Sequence, residues 1–228
     1  MQKVAIRRLF IGLFTGYALC NESTTPLYEA CLRAMSDNDE GDTSVPVDDI
    51  CLWVKWLIKG FLSDERTLYS ITNTLQDADS RRTSLVALAY IGYLVSQDRP
   101  LDSYFTAVWE QCAGHNFTFD QTWRKIGHVL GWGSVRHSLQ HIGTDTQPSV
   151  IITQMMFCIL RSDDNLDSLL TTAKHSVAPS VVASLTLGIL YTKQAFEIPD
   201  QFTRLSEKDI SYITHLADKF SSDSEKSL

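Results

Sequence analysis

The sequence predicts an all-α fold in a single domain, and three observations support this fold class. Apolar residues recur at steps of three and four along most of the chain, which is the period of an amphipathic helix. No Asn-Gly or Asp-Gly pair stands between apolar alternations, so hairpin turns are not indicated. We expect about eight to ten helices in residues 1–220, followed by a flexible polar tail over 221–228. Prolines fall at the starts of the apolar segments or in the gaps between them, where proline is tolerated: Pro100, Pro148, Pro179 and Pro199.

The predicted helices follow one another as separate apolar segments. The first is an apolar run over 9–20 that follows three basic residues, which is also the composition of a signal peptide. Because no A-x-A cleavage site follows it, we predict a buried first helix instead. Two segments are apolar on nearly every side, as the central helices of a bundle are, and these are 150–160 and 181–191. The remaining predicted helices have one apolar face and cover 47–62, 84–96, 101–112, 119–130 and 209–220.

The charge balance excludes several classes of partner. The 228 residues include 27 Asp and Glu against 20 Lys and Arg, for a formal net charge of -7. Nucleic acids and anionic membranes attract basic proteins, so we expect neither as a partner. No apolar run approaches the roughly 18 residues of a membrane span. A basic protein partner fits this charge.

The cysteines indicate a reducing compartment. The five cysteines are widely spaced and form no C-x-x-C pair, and an odd number leaves one unpaired in any disulfide scheme. We therefore predict free thiols and a cytoplasmic protein.

Two groups of residues have the composition of metal sites, but neither has the spacing that a known metal-binding motif requires. His137 and His141 have the spacing of a helical metal pair near His128, but no Glu follows His137 as in the zinc protease motif. The segment 36–49 carries six acids. Its glycine is out of register with a calcium loop, in which a bidentate Glu would fall at Val47. We interpret the histidines as ordinary side chains and the acidic segment as a solvated loop.

The adjacent acids Asp48 and Asp49 stand after Pro46 at the start of an apolar helix. Acids at this position cap free N–H groups and complement the helix dipole. They could also coordinate a metal ion from the helix start, but Mg²⁺ takes about six oxygen ligands, so others would have to come from elsewhere in the chain. Both interpretations are open from the residues alone.

Five short motifs, spread over most of the chain, follow the order of one known family. Residues 12–20, Gly-Leu-Phe-Thr-Gly-Tyr-Ala-Leu-Cys, are similar to G-L-A-V-G-D-A-L-G, and residues 47–50, Val-Asp-Asp-Ile, are similar to T-D-D-T. The closing motifs are Leu-Arg-Ser-Asp over 160–163, Val-Ala-Ser-Leu over 182–185 and Ile-Pro-Asp-Gln-Phe over 198–202. In this order the chain resembles the ADP-ribosylglycohydrolase family, which includes the dinitrogenase reductase activating glycohydrolases. The resemblance implies an all-α bundle.

The resemblance also implies a metal site that this chain has lost. Active members of the family hold two metal ions, usually Mg²⁺, between the acids of T-D-D-T and those of a later G-D-T-D-T motif. This chain keeps Asp48 and Asp49, but Val47 and Ile50 replace the threonines. The later motif is missing, because residues 168–196 contain no Asp or Glu. We therefore expect no metal and no catalytic residues in a degenerate family member.

Three functions follow from the resemblance. The leading hypothesis is a non-catalytic protein that binds and neutralises a basic ADP-ribosyltransferase toxin, as an immunity protein, with Asp48 and Asp49 in a vestigial ligand pocket. An alternative is a Mg²⁺-dependent ADP-ribosyl hydrolase that uses these acids with Asp145, from a Gly-Thr-Asp-Thr sequence over 143–146 that lies one helix too early for the family motif. The third is a structural or ADP-ribose-sensing protein.

Overall fold

The chain folds as a bundle of helices in a computed structural model that describes residues 2–36, 46, 49–76, 78–161, 166–193 and 205–225. Within these residues there is no β-strand, which confirms the all-α fold class. Short 3-10 turns at Asn73–Leu75 and Leu101–Ser103 precede the fifth and sixth helices. The α-helices of the described residues are α1 (Gln2–Ala18), α2 (Thr25–Ser36), α3 (Ile50–Leu62), α4 (Glu65–Thr72), α5 (Ser80–Ser96), α6 (Tyr104–Cys112), α7 (Phe117–Val129), α8 (Val135–Ile142), α9 (Pro148–Leu160), α10 (Leu166–Lys174), α11 (Pro179–Thr192) and α12 (Glu207–Glu225).

The helices α9 and α11 form the centre of the bundle. Every residue over 149–159 in α9 and over 181–190 in α11 is buried, which confirms the prediction from their apolar sequences. Each begins with a proline in its first turn, where the missing N–H would have no helical partner. They pack against each other, and α1, α5, α7 and α10 surround them.

The most extensive helix contact is that of α1 with α11, and glycines on α1 allow it. A Cβ atom at Gly12 would overlap the carbonyl oxygen of Leu187, and one at Gly16 would overlap that of Ala183. Since higher numbers in α1 meet lower numbers in α11, the two helices are antiparallel. The Ser184 hydroxyl donates a hydrogen bond of 2.8 Å to the carbonyl oxygen of Leu13. The C-terminus of α1 therefore lies beside the N-terminus of α11.

A second close pair, α3 with α5, uses glycines on both helices. A Cβ at Gly60 would overlap the backbone of Ala89, and one at Gly92 would overlap the carbonyl oxygen of Leu57. Small residues at a crossing let the two backbones approach, so that neighbouring apolar side chains interlock. This pair is joined to the α1 and α11 pair through contacts of α3 and α5 with α11.

The last helix, α12, is held against α1 and α2. Asp209 is buried and accepts hydrogen bonds from the backbone N–H and the hydroxyl of Ser206, at 2.7 and 2.8 Å, and from the hydroxyl of Thr24. Ser206 and Asp209 form a reciprocal cap, since the Ser206 hydroxyl also accepts from the Asp209 N–H. Farther along, the rings of Phe10 and Phe220 lie 5.3 Å apart. The helix continues to Glu225, into the segment 221–228 for which we predict a tail.

Helices α2, α4, α8 and α10 were not predicted, and the described residues accordingly contain more helices than expected. These helices have 8 to 12 residues each. Two of them start at side-chain caps: Asp64 accepts from the N–H of Thr67 at 2.7 Å, and Ser134 accepts from that of His137 at 3.3 Å. Helices this short depend on caps and tertiary contacts, which an apolar period does not reveal.

The glycine contact between α1 and α11 predicts a large effect from a single methyl group. Gly16→Ala should lower the free energy of unfolding by about 1 to 3 kcal/mol, because the methyl group forces two backbones apart. Urea unfolding followed by circular dichroism measures the change.

The matched control is Gly127→Ala in α7. A Cβ there meets no atom within 4 Å, and Gly127 is exposed within the helix. Helix propensity should then raise the stability of this variant by up to about 1 kcal/mol. Equal stability of the Gly16→Ala variant and the original chain would show that the α1 and α11 backbones do not touch.

Candidate functional site

The candidate site lies at the end of the bundle where α1 stops and α3 and α11 begin. The antiparallel packing of α1 and α11 brings Tyr17, in the last turn of α1, to this end. Asp49, immediately before α3, lies near enough to Tyr17 for its charge to raise the pKa of the phenol. Cys51 in the first turn of α3 has the same effect on Tyr17. Residues from two of the five segments that resemble the family, 12–20 and 47–50, therefore lie close together.

Asp49 is the N-cap residue of α3. Its backbone is extended, and its Oδ1 accepts a hydrogen bond of 2.8 Å from the N–H of Cys51. The Asp49 N–H in turn donates to the carbonyl oxygen of Pro46 at 3.1 Å. Of the two interpretations of this acid, the helix cap is confirmed at Asp49, and Asp48 lies outside the described residues.

The groups around Asp49 are held in their neutral forms. Burial, the hydrogen bond to Asp49 and the Asp49 charge together raise the pKa of the Cys51 thiol to about 12. Burial first, and then the charges of Asp49 and Cys51, raise the pKa of the Tyr17 phenol. A thiolate is the reactive form of cysteine, so Cys51 is a poor nucleophile near neutral pH.

The start of α11 supplies no carboxylate to this end of the bundle. The N-cap of α11 is Ala178, which makes no side-chain capping bond, and Pro179 and Ser180 follow it. The last turn of α10 contributes a positive charge here, that of Lys174. Burial raises the pKa of the Cys20 thiol, which lies just beyond the end of α1, and the Lys174 charge partly offsets this rise. A cation here opposes the binding of a second cation.

The other predicted metal candidates lie on α8 and in the loop that follows it. His137 and His141 are exposed, and the His141 ring contacts that of Trp132 at 4.9 Å between centroids. Asp145 is also exposed, and its Oδ1 accepts from the Gln147 N–H at 3.4 Å. Across the described residues, no three His, Cys, Asp or Glu side chains are grouped closely enough to hold a metal ion.

Three residues at this end of the molecule were not predicted as site residues. Tyr17 stands where the family motif G-L-A-V-G-D-A-L-G has its aspartate, so the alignment of that motif could have identified it. Asp209 was visible as the end of the capping sequence Ser-Glu-Lys-Asp. Lys174 had no sequence signal. A cavity of about 450 Å³ adjoins Ala18 and is lined by the α1–α2 turn and by residues of α12, among them Lys208 and Asp209.

The cap at Asp49 predicts how substitutions change stability. Asp49→Ala should lower the free energy of unfolding by about 1 kcal/mol, whereas Asp49→Asn should change it by only a few tenths, because Asn caps helices as well as Asp does. Asp64, the cap of α4, provides the matched pair of substitutions. If Asp49→Asn costs as much as Asp49→Ala while the two Asp64 variants differ, the charge of Asp49 has a role beyond the cap.

Alkaline pH should destabilise the fold. Burial is the main cause that raises the pKa of Cys51 and Cys112 to about 12 from the usual value of 9.0, and it raises those of Cys31 and Cys158 as well. The unfolded chain loses its thiol protons near pH 9 and the folded chain keeps them. Stability is therefore complete below pH 9 and falls as pH rises toward 12. Urea midpoints that are equal at about pH 8 and about pH 10 would contradict this account.

None of the helices described is both long and apolar enough to cross a membrane. Comparisons with protein-family models, with curated proteins and with solved structures each find no match for this chain.

Proposed function

We propose that the chain is a non-catalytic protein with an ADP-ribosylglycohydrolase-like scaffold, and that it acts by binding another protein. The partner we propose is a basic ADP-ribosyltransferase toxin, which the chain would neutralise as a cytoplasmic immunity protein. The observation that carries this proposal is the position of Asp49. Its carboxylate accepts a hydrogen bond of 2.8 Å from the backbone N–H of Cys51 and caps the helix that Asp49 precedes.

The chemistry of a metal-dependent hydrolase is not favoured by this arrangement. A divalent ion takes about six oxygen ligands, and it acts by polarising its substrate and activating a bound water. At this end of the bundle, Asp49 is engaged as a cap and the described start of α11 presents alanine, proline and serine instead of carboxylates. In an active family member the acid at the position of Asp49 would coordinate an ion, whereas in this chain Asp49 caps a helix and stabilises the fold.

The scaffold itself is consistent with the resemblance. The first-helix motif and the closing motif are about 170 residues apart in sequence, and they pack directly against each other through Gly16 and Ala183. The hydrogen bond from Ser184 to Leu13 joins the same two motifs. Loss of catalytic groups with retention of such packing is expected of a protein that keeps a binding surface without its chemistry.

The charge of the chain supports a basic partner. A net charge of -7 attracts cationic surfaces over roughly one Debye length, about 8 to 10 Å at physiological salt. Such attraction raises the rate of encounter more than the final affinity. The five cysteines are free thiols, which suits the reducing cytoplasm that we propose for the complex.

The test measures catalysis and inhibition in one set of assays. The chain is incubated with an ADP-ribosylated protein and Mg²⁺, and released ADP-ribose is quantified. It is then added in equimolar amount to a basic ADP-ribosyltransferase toxin. We expect no release above the rate without protein and a loss of most transferase activity.

Two results would contradict the proposal. Release of ADP-ribose that requires Mg²⁺ would favour the hydrolase with Asp48, Asp49 and Asp145. Binding of free ADP-ribose in calorimetry, without inhibition of the transferase, would favour a sensor of ADP-ribose.

A further inference from the structure

We propose that the exposed side of α7 and α8, with the loop between them, is a docking surface for an acidic segment of another protein. We call this surface the cationic face, and it consists of Arg124, His128, Trp132, Arg136, His137 and His141. The inference does not rest on the proposed function, because it concerns a different part of the molecule and a partner of opposite charge.

The first observation is the segregation of charge along the chain. Residues 121–144 contain three Lys or Arg and three His, but no Asp or Glu, so all 27 acids of the chain lie elsewhere. At the average acid content, a segment of this length would carry about three. Two other long segments lack acids, 1–21 and 168–196, and they include the largely buried helices α1 and α11, where burial accounts for the absence of acids. Burial does not account for it on α7 and α8, whose charged residues are on the surface.

The second observation is that the basic side chains share the outer side of one helical layer. Both α7 and α8 pack on α9. They bury Trp123 and Ile126 from α7 and Leu139 from α8. The opposite side of each helix is exposed and carries Arg124 and His128 on α7 and, on α8, Arg136, His137 and His141.

The third observation is an exposed tryptophan in the loop that joins α7 and α8. Trp132 is 39% exposed, in a loop between Gly131 and Gly133, where an added Cβ would meet no atom within 4 Å. The loop is nevertheless anchored, since Arg161, the C-cap residue of α9, donates hydrogen bonds to the carbonyl oxygens of Leu130 at 2.8 Å and Trp132 at 3.3 Å. An anchored, exposed tryptophan between two helices that carry basic side chains has the composition of an interface anchor.

Other contacts hold the positive charges in place. The Arg124 guanidinium lies 4.8 Å from the ring centroid of Trp109, and the Lys125 ammonium donates a hydrogen bond of 2.8 Å to the carbonyl oxygen of Ile142. Charged side chains that are already ordered lose little conformational freedom when a partner binds. The acids at the two edges, Asp120 and Asp145, accept hydrogen bonds from the backbone N–H groups of Gly114 and Gln147.

The charge of the whole chain favours an acidic polypeptide over a nucleic acid. The phosphate backbone of a nucleic acid would continue past α7 and α8 and run along the rest of the protein, whose net charge is -7. The phosphates and the acidic side chains would repel each other wherever they come within about one Debye length. A short acidic segment confines its charge to the cationic face and can bring an apolar side chain to Trp132. Charge complementarity of this kind fixes orientation and excludes wrong partners.

The experiment titrates the full chain into a fluorescein-labelled peptide of glutamate and leucine and follows fluorescence polarisation. We expect saturable binding that weakens as salt rises from about 50 to about 150 mM. Arg136→Glu should weaken the binding by about tenfold or more, and Trp132→Ala should weaken it by at least about threefold. The control is Arg66→Glu, which makes the same change of net charge at an exposed position on α4 and should change binding by less than about twofold.

Circular dichroism spectra check that each variant is folded, and an oligothymidylate of similar length serves as the nucleic-acid probe. Absence of peptide binding to the folded chain at low salt would overturn the proposal. So would an equal loss of binding in the Arg66→Glu and Arg136→Glu variants, because the binding would then depend only on net charge. Tighter binding of the oligothymidylate than of the peptide would assign the face to nucleic acid instead.

Discussion

The backbones of α1 and α11 touch because Gly12 and Gly16 have no side chains, and the position of the candidate site depends on this contact. It joins the first helix of the chain to one of its two central helices, and the Ser184 hydroxyl reinforces it by donating to the carbonyl oxygen of Leu13. Since the helices are antiparallel, Tyr17 is brought to the end where α11 begins. The α3–α5 pair, which also crosses at glycines, packs against α11 and brings Asp49 to the same end. Two close helix crossings thus determine which side chains meet.

Most of the side chains that meet there are neutral, and they do not form a cluster of carboxylates. A site for two divalent ions requires several carboxylates that converge without other partners. Asp49 is a helix cap, Tyr17 and Cys51 are kept neutral by burial and by the Asp49 charge, and Lys174 contributes a positive charge nearby. A segregation of exposed charge lies elsewhere, on α7 and α8. It is on this distribution that we base the proposal of a molecule that recognises other proteins through its surface.

The sequence predicted the parts of the fold in which one physical signal dominates. The runs at 150–160 and 181–191 are apolar on every side, and both are central helices. The short helices α4 and α8 were not predicted, because each has only eight residues, too few for an apolar period to be recognised, and their starts depend on the caps Asp64 and Ser134. At the candidate site, the sequence allowed both a cap and a metal ligand at Asp49, and the geometry identifies the cap. The proximity of Tyr17 could not be predicted from local sequence, because it arises from packing between helices that are distant along the chain.

The central claim is that this end of the bundle stabilises the fold and contributes to protein binding, and that it holds no metal ion. A crystal grown with Mn²⁺ and ADP-ribose tests it directly, because anomalous scattering locates manganese without ambiguity. The account predicts no anomalous peak beside Asp49 and an intact hydrogen bond from the Cys51 N–H to its carboxylate, near the 2.8 Å found here. A manganese ion coordinated by Asp49, with that hydrogen bond broken, would contradict the account and favour the hydrolase, the alternative function.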